Sequence, residues 1–230
     1  PSKTYGNLTI NNTGGAIASA SGTITINGQL NVAYESVFDM GVYDLVGSTL
    51  TTSGTGTLKT QSTSTVPLSN NRTWSMSVVY ASTNSSQYVM SGNYGGDLIV
   101  SGGVKYLLGP LNLNKGLTIN NGSTLTNISN YNINIAGDFT ISGSFIQGNG
   151  LLTFNGSSPQ NIYQTGTATF NNVTINNASN LALNNNISIG GLLSFINGKV
   201  VTGSYTINAN SISVVGTGWV IGNLKKTISL

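Results

Sequence analysis

The sequence predicts an all-β fold, a right-handed parallel β-helix (β-solenoid) of about eleven rungs at roughly 20 residues each. Short segments of alternating apolar and polar residues, closed by Asn-Gly, Gly-Gly or Ser-Gly turns, recur along the whole chain. The residues that open these segments recur at a nearly constant spacing, and no window shows the apolar periodicity of an amphipathic helix. A fixed period in the twenties is typical of solenoids, because one turn of chain cannot bury its apolar face alone.

The predicted strands lie in segments with period-two alternation. They include GTITING (22–28), GLTINNG (116–122), YNINIAGDFTISGSF (131–145), GLLTFNG (150–156), NISIGGLLSFING (186–198) and GSYTINA (203–209). In such strands alternate side chains share one side, so the apolar ones pack inward on the rungs above and below. At about 4.8 Å per rung, the stack predicts a rod on the order of 50 Å long.

The residue that leads each apolar pair defines the period. These residues are Gly96, Gly116, Gly137, Gly150, Asn171 and Gly191. Glycine and asparagine tolerate the positive φ that a sharp corner requires, so we expect a corner at each of them. The steps are 20 or 21 residues, except the step of 13 from Gly137 to Gly150, which predicts an extra short strand on one rung. Asparagines or threonines are expected to form ladders at the corners.

A longer repeat is superimposed on the rungs. The segment 78–100 aligns with 152–175 and matches Gln87 to Gln160. We therefore predict a single β-solenoid domain, 1–230, made of about three copies of a supermodule, roughly 1–77, 78–151 and 152–230. Residues 61–95 are the least regular part, and the segment around Pro67 is predicted to be a loop leaving the rod.

An antiparallel β-sandwich is the alternative fold, since short strands with glycine turns also suit a sandwich. The spacing near 20 residues and the lack of a clear two-residue hairpin register favour the solenoid.

The composition excludes several functional classes. Charged residues make up 6% of the chain while 38% is apolar, which is not the composition of a disordered protein. The eight Lys and Arg residues are scattered, so no nucleic-acid-binding surface is expected. No apolar stretch approaches the roughly 18 residues of a membrane helix, so no membrane insertion is expected. The chain begins at Pro1 without an apolar segment, so any signal peptide is expected to be removed or to lie upstream.

Several segments resemble a known group of repeats. FNGSSPQNIYQTGTATFNNVTINNASNLALNNNISIGGLLSFINGKVVTGSYTI (154–207), TQSTSTVPLSNNRTWSMSVVY (60–80) and GTGWVIGNLKKTISL (216–230) resemble the Gly/Asn/Thr-rich β-solenoid repeats of giant secreted or outer-surface proteins exported by type IX secretion. The resemblance implies a parallel β-helix in a long extracellular or cell-surface protein with an adhesive, scaffold or filament role. It provides no catalytic motif to transfer.

Candidate catalytic chemistry is sparse. The chain has neither His nor Cys, so His- or Cys-based triads and His-liganded metal sites are excluded. The acidic residues are Glu35, Asp39, Asp44, Asp97 and Asp138. The first three could line one rung or be solvated corner residues. Asp97 and Asp138 are expected two rungs apart. Two equivalent turn positions explain this spacing more simply than a catalytic pair of a polysaccharide-degrading enzyme does. We expect no catalytic, cofactor or metal site, with a polysaccharide-degrading β-helix enzyme as the third alternative.

Threonines and aromatics raise a binding alternative. TITI (23–26) and TLTT (49–52) place threonines on one face, as an ice-binding or glycan-binding surface would. Threonine is also a favoured outward residue of any strand. Trp74 and Trp219 are far apart, and no sugar-stacking platform is visible in the sequence. The alternative function is an adhesin stalk or a glycan-binding module, with surface glycans as partners.

The ends of the chain suggest the main functional hypothesis. Solenoids usually carry polar caps, and none is recognisable near either end. We therefore expect a structural filament or surface-fibre subunit whose partners are copies of itself, joined head to tail. By position, Leu8, Ile10, Leu224 and Ile228 are the predicted self-association residues.

Overall fold

Strands of two to five residues and the turns between them make up most of the structure, a computed structural model that describes residues 1–84 and 86–226, and the last strand is longer, at 40 residues. A 3-10 turn spans Thr13–Gly15. The strands are β1 (Lys3–Tyr5), β2 (Leu8–Ile10), β3 (Ile17–Ser19), β4 (Ile24–Ile26), β5 (Gln29–Val32), β6 (Val37–Asp39), β7 (Leu45–Val46), β8 (Thr51–Ser53), β9 (Thr57–Thr60), β10 (Arg72–Trp74), β11 (Ser77–Tyr80), β12 (Gln87–Val89), β13 (Gly92–Tyr94), β14 (Leu98–Val100), β15 (Val104–Leu107), β16 (Leu111–Leu113), β17 (Leu117–Ile119), β18 (Thr124–Thr126), β19 (Ile133–Ile135), β20 (Phe139–Ile141), β21 (Ser144–Ile146), β22 (Leu151–Phe154), β23 (Gln160–Gln164), β24 (Thr167–Thr169), β25 (Asn172–Asn176), β26 (Leu181–Leu183) and β27 (Ile187–Lys226).

All the strand pairings in the described part of the chain are parallel. The chain winds into a β-solenoid of about 10 turns. The predicted parallel solenoid is therefore confirmed, and the antiparallel sandwich is excluded.

Three strands per turn give the rod three faces. Face A contains β2, β5, β8, β10, β13, β16, β19, β22, β25 and part of β27. Face B contains β3, β6, β9, β11, β14, β17, β20, β23, β26 and a later part of β27. Face C contains β1, β4 and β7, followed further along the rod by β12, β15, β18, β21 and β24. Each face therefore stacks strands from successive turns.

The core is a continuous apolar column inside these faces. On face B, the register places Phe38, Leu58, Val78 and Leu98 on successive turns, and all four are buried. Farther along, Phe139 of face B meets an inward phenylalanine of face C edge to face, with ring centroids 5.0 Å apart. Stacking of apolar side chains on successive turns therefore buries apolar surface that would be exposed on a single turn.

The short step between two corner glycines does not mark an extra strand. Gly137 precedes β20 on face B, whereas Gly150 precedes β22 on face A. The step of 13 residues therefore covers about two thirds of a turn of roughly 20 residues. The prediction of an extra strand was wrong because the leading residues precede strands of face B up to Gly137 and strands of face A from Gly150 onwards.

The segment around Pro67 does not leave the rod. Pro67, Leu68 and Ser69 are buried, and Leu68 forms a parallel bridge with Leu45 of β7. The Leu45 amide donates to the Pro67 carbonyl at 3.0 Å, and the Ser69 amide donates to the Leu45 carbonyl at 3.0 Å. Leu68 therefore continues the inward apolar row of face C at this turn, although no regular strand forms.

The matched phrases of the longer repeat lie on different faces. Gln87 begins β12 on face C, whereas Gln160 begins β23 on face B. Their local similarity therefore corresponds to a type of corner and not to a position around the rod. The division into three copies stays a prediction.

Candidate functional site

The predicted self-association residues of the first turn line a hollow at that end of the rod. Leu8 is half-buried and Ile10 is 8% exposed, both on β2. With Tyr5 and Ala18, they contribute to a hollow of about 200 Å³ whose lining is mainly apolar. The first-turn candidates thus form a concave surface.

The last described turn has the opposite character. Leu224 is 45% exposed, and Ile228 lies outside the described residues. Val214, Val215 and Trp219 are exposed by 57%, 76% and 52%. The Lys199 ammonium lies 4.4 Å from the centroid of the Trp219 ring, which is a cation–π contact. Of these exposed apolar residues, only Leu224 is among the self-association residues predicted from position in the sequence.

Two predicted carboxylates occupy equivalent corners before face B. The Gly116 amide donates to Asp97 Oδ1 at 2.8 Å, and the Asn161 amide donates to Asp138 Oδ1 at 2.8 Å. The register places Gly116 between the two aspartates along the rod, which confirms the predicted spacing of two rungs. A Cβ on Gly116 would lie 3.1 Å from Asp97 Oδ1, so a side chain has little room there. Each carboxylate therefore joins neighbouring turns.

The other three acidic residues have separate environments. Glu35 is exposed in a turn with φ of 61°. Asp39 forms an ion pair with Lys59 at 2.8 Å on the outside of face B, and Asp44 accepts a hydrogen bond from Ser64 Oγ at 2.7 Å. In the described ranges, no three Asp, Glu, His or Cys side chains come together in a way that could hold a metal ion.

The predicted threonine arrays partly bind the backbone of adjacent turns. Thr23 and Thr25 are half-buried. Thr52 Oγ1 donates to the Thr73 carbonyl at 2.7 Å and accepts the Ser75 amide at 2.8 Å. The Thr52 hydroxyl is therefore bound to the backbone of the next turn and is not free for a ligand.

An asparagine ladder runs along the outside of face A. Asn134 Nδ2 donates to Asn112 Oδ1 at 2.7 Å, and Asn112 Nδ2 donates to Asn93 Oδ1 at 3.0 Å. An asparagine ladder is therefore present, but it lies at mid-strand and not at the corners where ladders were predicted.

Buried glutamines connect turns from inside. Gln160 Nε2 donates to the carbonyls of Ile135 and Gly137 at 2.9 and 2.6 Å, and its Oε1 accepts the Gly156 amide at 3.0 Å and the Asn177 side-chain amide at 2.8 Å. All four hydrogen-bonding positions of the carboxamide are used.

Gln87 repeats this pattern, donating to two carbonyls of the preceding turn and accepting the amide of Ser82. The match between Gln87 and Gln160 in the sequence therefore corresponds to the same bonding role.

A lysine lies inside the rod beside Gln87. Lys105 of β15 has no exposed surface, and its Nζ donates to the Ser82 carbonyl at 2.6 Å and to the Gly102 carbonyl. It forms no ion pair with any described residue. Burial lowers the pKa of Lys105 to about 8. Its place in a VKYL strand, with an inward neighbour two residues on, is the sequence signal for this burial.

Two buried tyrosines form a second internal polar group. The hydroxyls of Tyr80 and Tyr94 lie 3.1 Å apart. The Met90 amide donates to the Tyr80 hydroxyl at 3.1 Å, and the Tyr94 hydroxyl donates to the Met90 carbonyl at 2.7 Å. Burial raises the pKa of Tyr80 to about 12 and that of Tyr94 well above its usual value.

Another tyrosine pair lies on the outside of face C. Tyr88 of β12 pairs in register with Tyr106 of β15, and both rings are half-buried. Their centroids are 6.3 Å apart and the ring planes are tilted by 49°. Lys105 and Leu107 flank Tyr106 and are buried, so alternation places the Tyr106 ring outside. The residues are 18 positions apart, which concealed the pair in the sequence.

A hollow rich in hydroxyl groups lies farther along face C. It has a volume of about 470 Å³ and is formed by residues 121–124, 142–144 and 165–167 on three successive turns. Thr167 Oγ1 donates to Ser144 Oγ at 3.0 Å across two of these turns. We call this feature the hydroxyl hollow.

Two glycines allow the turns of the hydroxyl hollow to approach. A Cβ on Gly143 would lie 2.2 Å from the Ser123 carbonyl oxygen, and one on Gly166 would lie 1.9 Å from the Gly143 carbonyl oxygen. Side chains cannot be accommodated at these points, so backbone forms part of the lining.

Comparison of the chain with protein-family models, with curated proteins and with solved structures finds no match. Among the described residues, no helix has the length and apolar character needed to cross a membrane.

Proposed function

We propose that this β-solenoid is an extracellular structural module, a subunit or segment of a surface fibre that associates head to tail through its end turns. The supporting observation is the difference between those turns. The first presents a mainly apolar hollow, and the last described turn presents exposed apolar side chains.

The backbone also favours extension along the axis. Among the residues that the structure describes, β1, β2 and β3 each pair on one side only, so further parallel strands would fit against their outer edges. A second copy in the same orientation would extend all three faces at once. Such a contact joins two different surfaces and does not close on itself, and it therefore generates an open filament.

The proposed role is not enzymatic. The chain has no His or Cys, and four of its five carboxylates bind backbone amides, a hydroxyl or a lysine. The extracellular location is proposed on the resemblance of the repeats to those of type IX secreted proteins.

The test compares end variants with a lateral control. Val215→Lys and Leu8→Lys each place a charge in a proposed end contact, where burial without a partner is unfavourable. Tyr34→Lys is the control, because Tyr34 is 74% exposed at a side turn between β5 and β6. Electron microscopy and light scattering over a concentration series measure assembly.

We expect the wild type and Tyr34→Lys to form rods several times longer than one chain, and both end variants to remain monomeric. Wild-type protein that stays monomeric at high concentration, or equal assembly of all variants, would refute head-to-tail association.

A further inference from the structure

The tyrosine pair and the hydroxyl hollow belong to one surface. Strands β12, β15, β18, β21 and β24 stack in this order on face C. Tyr88 is in register with Tyr106, and this row continues through Thr126, which is 4% exposed, to the exposed Ile146. The row two residues earlier in each strand continues from Thr124 through Ser144 to Thr167. Five stacked strands at about 4.8 Å give a strip of roughly 19 Å. We call this surface the face C strip.

The face C strip carries no accessible charge. Its strands have the sequences QYV, VKYL, TLT, SFI and TAT, in which the charged residue is Lys105. Lys105 is fully buried and binds backbone carbonyls. The segments that line the hydroxyl hollow contain no Asp, Glu, Lys or Arg. An acidic polysaccharide or a phosphate group would find no opposite charge here.

The polar side chains that line the hydroxyl hollow are, apart from Asn121, all serines and threonines, whose hydroxyls both donate and accept. Thr165 and Thr167 are exposed. Ser123 lines the hydroxyl hollow, is 2% exposed, and its Oγ has no hydrogen-bond partner among the described residues. The exposed hydroxyls of Thr165 and Thr167 can both donate and accept, which matches a ligand that carries hydroxyl groups of its own.

We propose that the face C strip binds a neutral glycan chain laid along the rod axis. The tyrosine rings stack against the apolar faces of sugar rings, and the hydroxyl hollow binds the hydroxyl groups of following sugars. This inference concerns the side of the rod and is independent of the proposed end-to-end association.

The experiment uses isothermal titration of the full chain with cellohexaose, chitohexaose and mannohexaose, and with an oligogalacturonate as the acidic comparator. Tyr88→Ala/Tyr106→Ala removes the aromatic surface, and Thr165→Val/Thr167→Val removes two hydroxyls at nearly constant volume. Tyr163→Ala is the control, because Tyr163 is 41% exposed on face B.

We expect at least one neutral hexasaccharide to bind. The tyrosine double variant should weaken that binding by about tenfold or more, and the threonine double variant by about threefold to tenfold. Tyr163→Ala should bind as the wild type does.

The proposal is overturned if none of the three neutral probes binds at millimolar concentration, or if the oligogalacturonate binds more tightly than all of them. It is also overturned if both double variants bind as the wild type does. Circular dichroism checks folding, and if the tyrosine variant is unfolded, the threonine variant alone decides the outcome.

Discussion

The inside of face B and the outside of face A contain the same carboxamide group in very different settings. Gln160 is buried and uses its whole carboxamide to bind groups on the preceding turn and at two corners. Asn112 is exposed and binds the neighbouring asparagines of a ladder. Both arrangements join turns of the rod, but water can replace the partners only at Asn112.

This difference in access to water determines how much each set of hydrogen bonds contributes to the free energy of unfolding. A typical net hydrogen bond contributes about 1 kcal/mol, whereas a buried polar group left without a partner costs about 1–3 kcal/mol. A polar contact in a solenoid core is therefore important mainly because its loss leaves several backbone groups unsatisfied. The outer ladder has no such consequence.

The largest effect is expected from Gln160→Leu. The change leaves the Gly137 carbonyl and the Gly156 amide without a partner, whereas the Ile135 carbonyl and the Asn177 side chain each keep one other hydrogen bond. We therefore expect a loss of about 3 kcal/mol or more in the free energy of unfolding. Urea titration followed by fluorescence of the buried Trp74 measures it. Gln29→Leu, the same change at an exposed position of β5, is the matched control and should alter stability by less than about 0.5 kcal/mol. Equal effects of the two substitutions would contradict the comparison.

A smaller effect, with a characteristic pH dependence, is expected from Lys105→Met. The pKa of Lys105 is lowered in the folded state to about 8, so the unfolded chain binds more protons between about pH 8 and 10.5. Stability of the wild type should therefore rise with pH across this window. Methionine removes the buried charge but leaves the Ser82 and Gly102 carbonyls without their donor. These two changes oppose each other, so we expect a net change within about 2 kcal/mol at pH 7 and loss of the rise in stability with pH.

The buried tyrosines act in the opposite direction at higher pH. Because their pKa values are raised on folding, their contribution is complete below about pH 10 and is lost above it. The stability of the wild type should pass through a maximum near pH 10, measured by thermal unfolding at a series of pH values. A Lys105→Met variant that keeps the rise between pH 8 and 10 would show that another group causes it. Lys59→Met is the control, since Lys59 is partly exposed and paired with Asp39.

The smallest effect is expected from Asn112→Ala. Its neighbours, Asn93 and Asn134, can bind water in place of the lost amide, so we expect a change of less than about 0.5 kcal/mol in the free energy of unfolding. The same urea titration measures it. A loss above about 1.5 kcal/mol would show that the ladder acts cooperatively along face A.

Prediction from the sequence succeeded where a local pattern determines the structure. The alternation in segments such as GLTINNG (116–122) indicates strands, and the inward Leu117 and Ile119 are buried. It failed at Pro67, where an irregular segment still packs against the rod through Leu68. Proline disfavours a regular strand but does not prevent an apolar neighbour from continuing the core.

The candidate site was harder to predict for a physical reason. Turn lengths differ, so in-register partners are 18 residues apart for Tyr88 and Tyr106 but 23 apart for Phe139 and Ile162. A constant period identifies the repeat without identifying which side chains become neighbours. For this reason the sequence suggested no aromatic platform, and the tyrosine pair emerged only from the register of face C.

The sequence by itself determined that this chain forms stacked, parallel turns, because alternating short strands at a constant spacing can bury their apolar side chains only against adjacent turns. The tertiary structure alone decided which polar groups lie inside and which side chains meet on the surface. Lys105 is buried and Tyr106 is outside although they are adjacent in the chain, and strand pairing brings Tyr106 next to Tyr88. Those outcomes depend on the register between turns, which is set by how the corners fold.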